Sequence, residues 1–292
     1  MGNRTGHTTA IIIILGWGIS CLFYRVMLFG HLEQSAMLFI GLPTFLAIFL
    51  VLSPRSKSYT GTIMKTIAIF LLMSGTLLGE GFICILMASP LFFAVGAIVG
   101  ALADYGANRE HHRRHPKMYS LAPLILLSLE GVDPRFSFSR SELVEGQAIV
   151  ALRVEEVEQR MSLVPEFNMP RPLFLRMGFP QPAHGDGQGL QIGAIRRIHF
   201  EGGEGKPGDL IWRVTAASDH RVVFECVSDS SHIAHWLAWQ SVEVEWRDFS
   251  PGQTELRWKM RYRRLLDPAW YFAPWERYAV RIAGEYYAAS LR

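Results

Sequence analysis

Charged residues are scarce in the first third of the sequence. Of the 292 residues, 19% are charged and 50% are hydrophobic, whereas about a quarter of a typical soluble domain is charged. The Lys, Arg, Asp and Glu residues between positions 8 and 103 are Arg25, Glu33, Arg55, Lys57, Lys65 and Glu80. From Asp104 onwards charges recur every few residues. The composition therefore predicts two regions that meet near residues 104–117.

Other absences exclude several classes of protein. The three cysteines, Cys21, Cys84 and Cys226, are too few and too scattered for a disulfide framework. The apolar run that starts at Ala10 lacks a clean small-residue cleavage site, so we do not expect a cleavable signal peptide. There is no nucleophile motif, phosphate-binding glycine loop or dinucleotide fingerprint, so no cofactor is expected. A net charge of +3 without a basic patch also argues against a nucleic-acid partner.

The apolar first region predicts a bundle of four transmembrane helices. A helix needs about 20 apolar residues to cross a bilayer. Residues 9–29 and 37–52 fit one span each, and residues 63–103 are long enough for two, with a break near Gly79-Glu80-Gly81 and Pro90 as a second candidate kink. Glu80 fits a turn at the outer membrane interface, although an intramembrane carboxylate for ion or proton handling is the alternative.

The distribution of Lys and Arg predicts the orientation of these spans. The connector at 53–62 carries Arg55 and Lys57, and the segment after the last span carries Arg109, Arg113, Arg114 and Lys117. Because Lys and Arg favour the cytoplasmic side, both termini are expected in the cytoplasm of a multi-pass cell-membrane protein. The second group is interspersed with His111, His112 and His115, but a basic collar that binds anionic membrane lipids explains it better than a metal site does.

The second region predicts a mainly antiparallel sheet. Residues 144–152 indicate a strand and 154–163 a short helix, followed by a Pro-rich stretch at 169–182 and a Gly-rich connector at 185–189. Strands are then expected at 192–200, 209–217, 221–228, 236–249 and 254–265, joined by short turns. The last two alternate strictly between apolar and charged residues, so one face of the sheet is expected to be buried.

A long amphipathic helix is predicted to close the chain. Pro268 and Pro274 are both possible first-turn residues. Tyr278, Ala279, Ile282, Ala283 and Tyr286 recur at helical spacing, while Glu276, Arg277, Arg281 and Glu285 fall outside that stripe. The apolar faces of the sheet and the helix are expected to bury each other.

Three segments resemble the START-like helix-grip superfamily (SRPBCC), in its polyketide cyclase/dehydrase and lipid-transport branch. They are IGAIRRIHFEGG at 192–203, SHIAHWLAWQSVEVEW at 231–246 and LLDPAWYFAPWERYAVRIAGEYY at 265–287. The resemblance covers roughly residues 144–291 and implies an α+β domain whose closing helix lies across a curled sheet and leaves a cavity. The expected organisation is a transmembrane region at 1–105, a basic juxtamembrane linker at 106–142 and a START-like domain at 143–292.

The implied cavity would hold a lipid or another hydrophobic small molecule. Its expected walls are Trp212, Phe224, Trp236, Trp258, Met260, Tyr278 and Ile282, with Arg196, Gln240 and Tyr262 as inward polar groups. Two alternatives stay open, namely an enzyme of the cyclase/dehydrase type and a structural or signalling module whose aromatic residues fill the cavity. The His232 and His235 pair lacks a convincing third ligand, so no metal is expected. The sequence does not define an oligomeric state.

Overall fold

The computed structural model describes residues 60–61, 64–65, 67–68, 71–72, 82–109, 130, 138–203 and 206–291. Two compact units, Met1–Leu126 and Leu127–Arg292, are distinguished, and each is described by itself. The predicted spans at 9–29 and 37–52, and most of the basic collar, lie outside the described residues. The four-span bundle and its orientation therefore stay predictions.

The described part of the first unit contains a 28-residue helix, α1 (Phe82–Arg109), which starts directly after Gly79-Glu80-Gly81 and contains Pro90. Thr60 lies close to this helix. Its backbone N–H and its hydroxyl both donate to Oδ2 of Asp104, over 3.1 and 2.7 Å. Gly100 makes this approach possible, because a Cβ atom there would lie 2.5 Å from Thr60 Cα. Within the described residues, no helix meets the combined requirements of length and apolarity for crossing a membrane.

The second unit is built on one antiparallel seven-stranded sheet. The strands are β1 (Ser141–Val150), β2 (Gln181–Asp186), β3 (Ile195–Glu201), β4 (Gly208–Ser218), β5 (Arg221–Asp229), β6 (Leu237–Ser250) and β7 (Gln253–Arg264). Their order is β1-β7-β6-β5-β4-β3-β2, so the meander from β2 to β7 places the first strand beside the last. Irregularities in β2, β4 and β6 interrupt the register, and such bulges bend a strand and increase its twist.

Three helices accompany the sheet. Helix α2 (Val154–Ser162) and the one-turn α3 (Leu173–Arg176) connect β1 to β2. Helix α4 (Ala269–Ser290) closes the chain and packs against β1 and β7. It begins after Pro268 and continues through Pro274, so the first of the two predicted starts is correct.

The core lies between the inner face of the sheet, α2 and α4. Strand β7 shows the predicted alternation, since Leu256, Trp258, Met260 and Tyr262 are buried and Arg257 and Arg261 are exposed. Val157, Val214 and Val222 are completely buried in the same cluster. Each buried side chain of this kind stabilises the fold by about 1.5–3 kcal/mol relative to an exposed one. A curled antiparallel sheet with a long closing helix is the helix-grip arrangement that the sequence predicts for this domain.

Candidate functional site

An apolar cavity of about 250 Å³ lies between the sheet and helix α4. One wall is the inner face of strands β3 to β7, with the aromatic side chains of Trp212, Phe224, Trp239 and Trp258. A second wall is α4, which contributes the small residues Ala279, Ala283 and Gly284 among others. The segment 165–182 forms a third wall. Its lining residues are Pro165, Phe167, Arg171, Leu175, Phe179, Pro180 and Pro182.

The chemistry of the lining is almost entirely that of hydrocarbon and aromatic groups. The ionisable side chains that reach it are Arg171, Arg196, Tyr286 and Tyr287. Among the described residues on its walls there is no carboxylate, histidine or cysteine. The aromatic residues leave a space open, so they do not fill the domain in the way that the structural-module alternative requires.

Six of the predicted site residues line the cavity, namely Arg196, Trp212, Phe224, Trp236, Trp258 and Met260. The other four, Gln240, Tyr262, Tyr278 and Ile282, do not. Five of the six lie where strict alternation along β3, β4, β5 and β7 places them, and Trp236 directly precedes β6. Three physical reasons account for the four exceptions.

Gln240 is exposed because β6 has a bulge. Trp239 pairs with Tyr262 and Ser241 with Arg261, so Gln240 is the extra residue between them. The bulge brings Trp239 to the inner face, where it lines the cavity with Trp212 at a ring-centroid distance of 5.9 Å. Uninterrupted alternation from Val242 and Val244 predicts the opposite assignment for these two positions.

Tyr262 faces inwards as predicted, but it does not line the cavity. Its side chain is completely buried, and its ring packs against Trp239 at 6.1 Å. Burial raises the pKa of its hydroxyl, and the nearby carboxyl groups of Glu276 and Glu142 raise it further. It therefore remains protonated at neutral pH.

Tyr278 and Ile282 lie outside the cavity lining because the buried face of α4 is only partly the predicted one. Of the predicted stripe, Ile282 and Tyr286 are buried, and the other buried residues from position 276 onwards are Glu276, Val280, Gly284 and Ala288. Tyr278 is 41% exposed, and its ring contacts Phe174 at 5.0 Å. Ile282 is buried away from the cavity lining. The prediction that Glu276 lies outside the stripe is wrong.

Glu276 is buried in a cluster of charges at the start of α4. Its neighbours include Arg264, which is completely buried and bonds to Asp267 at 2.5 Å, and Glu142, which pairs with Arg277 at 2.7 Å. Burial raises the pKa of Glu276 to about 8, and the charge of Glu142 also raises it, whereas Arg264 opposes the shift. In the described structure neither carboxylate oxygen has a hydrogen bond of normal geometry. This cluster supports the fold and does not line the cavity.

Arg196 is mainly a structural residue. Its guanidinium group donates to the backbone carbonyls of Met161, Leu163 and Gly187, with the last two at 2.5 and 3.1 Å. These bonds connect β3 to the end of α2 and to the loop after β2. Most of its donors are thus already satisfied, and it is poorly placed to orient a ligand.

The wall formed by residues 165–182 was not predicted from the sequence, and neither was strand β2, which begins at its end. Proline and glycine are rare inside strands, yet Pro182 and Gly185 lie in β2 because it is an edge strand. The recurrence of Pro165, Phe167, Phe179 and Pro180 is the signal that could have indicated an apolar surface in this stretch.

A second space of about 400 Å³, the polar pocket, adjoins the cavity. Its walls are Phe167, Met169, Pro170, Arg171, Arg176, Gln181, Pro182 and Tyr286. Four of these residues, Phe167, Arg171, Pro182 and Tyr286, also line the apolar cavity. The two spaces are therefore neighbours that share part of their walls. The Tyr286 hydroxyl, which lies between them, donates to the carbonyl of Met169 at 3.0 Å.

The histidine pair of the sequence lies in a 3₁₀ turn at His232–His235. The two rings are 4.9 Å apart. In the part of the chain that the structure describes, no three His, Cys, Asp or Glu side chains are grouped as metal ligands.

Comparisons with known proteins identify similar folds only. No protein-family model matches the chain, and no curated protein sequence matches it. Solved structures match its second half. A START superfamily protein from Mycobacterium smegmatis is 15% identical, with a TM-score of 0.37, over 51% of this chain and 93% of that one. Major latex-like protein 151 from Panax ginseng is 11% identical, with a TM-score of 0.33, over 53% and 100%.

A truncated norcoclaurine synthase from Thalictrum flavum is 8% identical, with a TM-score of 0.36, over 52% of this chain and 91% of that one. At these values the similarities carry no functional information. The second unit has a helix-grip fold, which is defined by its own strand order, its closing helix and the cavity between them.

Proposed function

We propose that this protein binds a lipid or another hydrophobic small molecule in the cavity of its helix-grip domain, beside a membrane that its first region spans. The ligand-binding part of this proposal rests on the cavity. An apolar space of about 250 Å³ is close to the lower end of the range of small-molecule sites, which is about 300–1,000 Å³. An apolar ligand would remove the surrounding aromatic surface from water and so gain free energy.

The membrane part of the proposal is supported by the sequence. Residues 9–52 and 63–103 contain few charges and provide enough apolar length for four spans, and the basic loops favour a cytoplasmic domain. Large apolar side chains exposed on the domain also suit a position next to lipid headgroups. Trp270, Trp275 and Tyr278 are 54%, 38% and 41% exposed, and Leu173 is 75% exposed. Trp and Tyr are enriched at membrane interfaces.

Binding is favoured over catalysis by the composition of the cavity. A cyclisation or dehydration needs an acid or base within hydrogen-bond reach of the substrate. The described lining offers two arginines and two tyrosines, and one of the arginines, Arg196, is tied to backbone carbonyls. The cyclase/dehydrase alternative therefore has little support from the site.

Native mass spectrometry of the full chain, released from lipid nanodiscs, tests this function. We expect an apolar adduct to survive on the wild type. Ala283→Phe places an aromatic ring in the cavity and should remove the adduct, while Ala217→Phe, the same change at an exposed position of β4, should retain it. An adduct that is absent from all three proteins, or present on all three, would refute the proposed site.

A further inference from the structure

Two arginines stand at the junction between the apolar cavity and the polar pocket. Arg171 lines both spaces, and Arg176 lines the polar pocket. Arg171 is partly buried and donates one hydrogen bond, from Nη1 to the carbonyl of Leu175 at 3.2 Å. The remaining donors of its guanidinium group have no recorded partner in the described structure, and a guanidinium group presents five N–H donors in a fixed fork.

Within the described residues, no acid forms an ion pair with either arginine. Burial lowers the pKa of Arg171, and the like charge of Arg176 lowers it as well, while Tyr286 acts in the opposite sense. Arg171 is partly buried and Arg176 is exposed at the pocket wall. Their mutual repulsion is relieved when an anion enters, and carboxylate and phosphate match the geometry of a guanidinium group.

We propose that the ligand is a single-chain anionic amphiphile, whose alkyl chain occupies the apolar cavity and whose carboxylate or phosphate head binds Arg171 and Arg176 in the polar pocket. This inference rests on the proposed function and specifies the ligand class of the same site. The shared wall at Arg171 places the polar pocket and the apolar cavity within reach of one ligand. The small volume of the cavity, about 250 Å³, favours one alkyl chain over the two of a membrane phospholipid.

Photolabelling of the full chain in phosphatidylcholine nanodiscs tests the inference. The probes are palmitic acid with a diazirine near the end of its chain and the fatty alcohol of the same length and label. We expect the acid to label cavity peptides, such as the one that contains Trp258, about tenfold more than the alcohol does. The reason is that only the acid forms charge-assisted hydrogen bonds with Arg171. Arg171→Gln should lower labelling by the acid to the level of the alcohol and leave the alcohol unchanged.

Arg213→Gln is the matched control, because Arg213 is exposed on the outer face of β4, and it should leave both probes unaffected. Unchanged labelling by the alcohol shows that Arg171→Gln is folded. Competition by unlabelled palmitate or by lysophosphatidate distinguishes a carboxylate head from a phosphate head. Equal labelling by acid and alcohol, in the wild type and in Arg171→Gln, would overturn the anionic head and leave apolar binding intact. Absence of cavity labelling by either probe would overturn the proposed function as well.

Discussion

The indole ring of Trp258 occupies the space that a side chain at Gly284 would need. A Cβ atom at Gly284 would lie 2.3 Å from Trp258 Nε1. On the opposite side, a Cβ atom at Gly146, the β1 partner of Trp258, would lie 2.4 Å from the same ring. Helix α4 can therefore approach the sheet at the point where Trp258 forms part of the cavity wall. The two glycines fix the position of the ring, and the ring in turn limits the size of the cavity.

Gly284→Ala should destabilise the domain although alanine is the better helix former. The gain in helix propensity is about 1 kcal/mol, but overpacking of a core costs about 1–3 kcal/mol, and Trp258 is held on its other side by Gly146. Equilibrium denaturation, followed by near-ultraviolet circular dichroism, measures the change. Trp258→Phe provides a smaller ring. The double variant Gly284→Ala/Trp258→Phe should therefore recover most of the free energy of unfolding that Gly284→Ala loses. Strictly additive effects of the two substitutions would contradict this packing.

Glu276 should make the stability of the domain depend on pH. The folded state holds the proton up to about pH 8, whereas an unfolded glutamate loses it near pH 4.3. Between these values the unfolded state binds fewer protons, so the free energy of unfolding falls as the pH rises. Glu276→Gln abolishes this contribution. The variant should match the wild type below about pH 4, where both states of the wild type are protonated, and be the more stable of the two near pH 9.

Thermal unfolding across this range measures the difference between the two proteins. Glu285→Gln is the matched control, because Glu285 lies on the same helix and is 54% exposed beside Arg281. Its stability should follow the wild type at every pH. A constant difference between Glu276→Gln and the wild type would show that Glu276 does not titrate in this window.

Gly100 and Asp104 should control the stability of the first unit. Asp104→Ala removes the acceptor of two hydrogen bonds from Thr60, and a lost hydrogen bond to a charged group costs about 1.5–3 kcal/mol. Gly100→Ala should also destabilise the first unit, because its Cβ would meet the backbone of Thr60. A backbone atom cannot move aside as the end of a side chain can. Ala101→Val, at the adjacent exposed position, is the control. Equal melting temperatures of Gly100→Ala and Ala101→Val in nanodiscs would contradict the close approach.

The strands and the closing helix could be predicted because their signals are local. Alternation in β7 identified Trp258 and Met260 as inward residues, and Pro268 marked the first turn of α4. The bulge at Gln240 could not be predicted, because one extra residue in β6 is visible only in the pairing of Trp239 and Ser241 with β7. The sequence therefore selected Gln240 for the cavity instead of Trp239.

Two further features depend on contacts between distant parts of the chain. A glutamate is normally assigned to the surface. Glu276 is buried because its helix packs against β1 and β7, where the opposite charge of Arg264 lies near it. The wall at 165–182 has no regular period of its own, and its shape follows from packing against the sheet and α4. The anionic-head site at Arg171 and Arg176 was missed for the same reason.

Quenching of tryptophan fluorescence by a bromoalkane tests most directly whether the cavity binds an apolar molecule. Bromine quenches indoles that it contacts, and Trp212, Trp236, Trp239 and Trp258 all line the cavity. Titration of the full chain in nanodiscs should show a saturable component that is present in the wild type and in Ala217→Phe and absent from Ala283→Phe. Quenching that is identical in the three proteins would contradict a ligand-binding cavity between the sheet and α4.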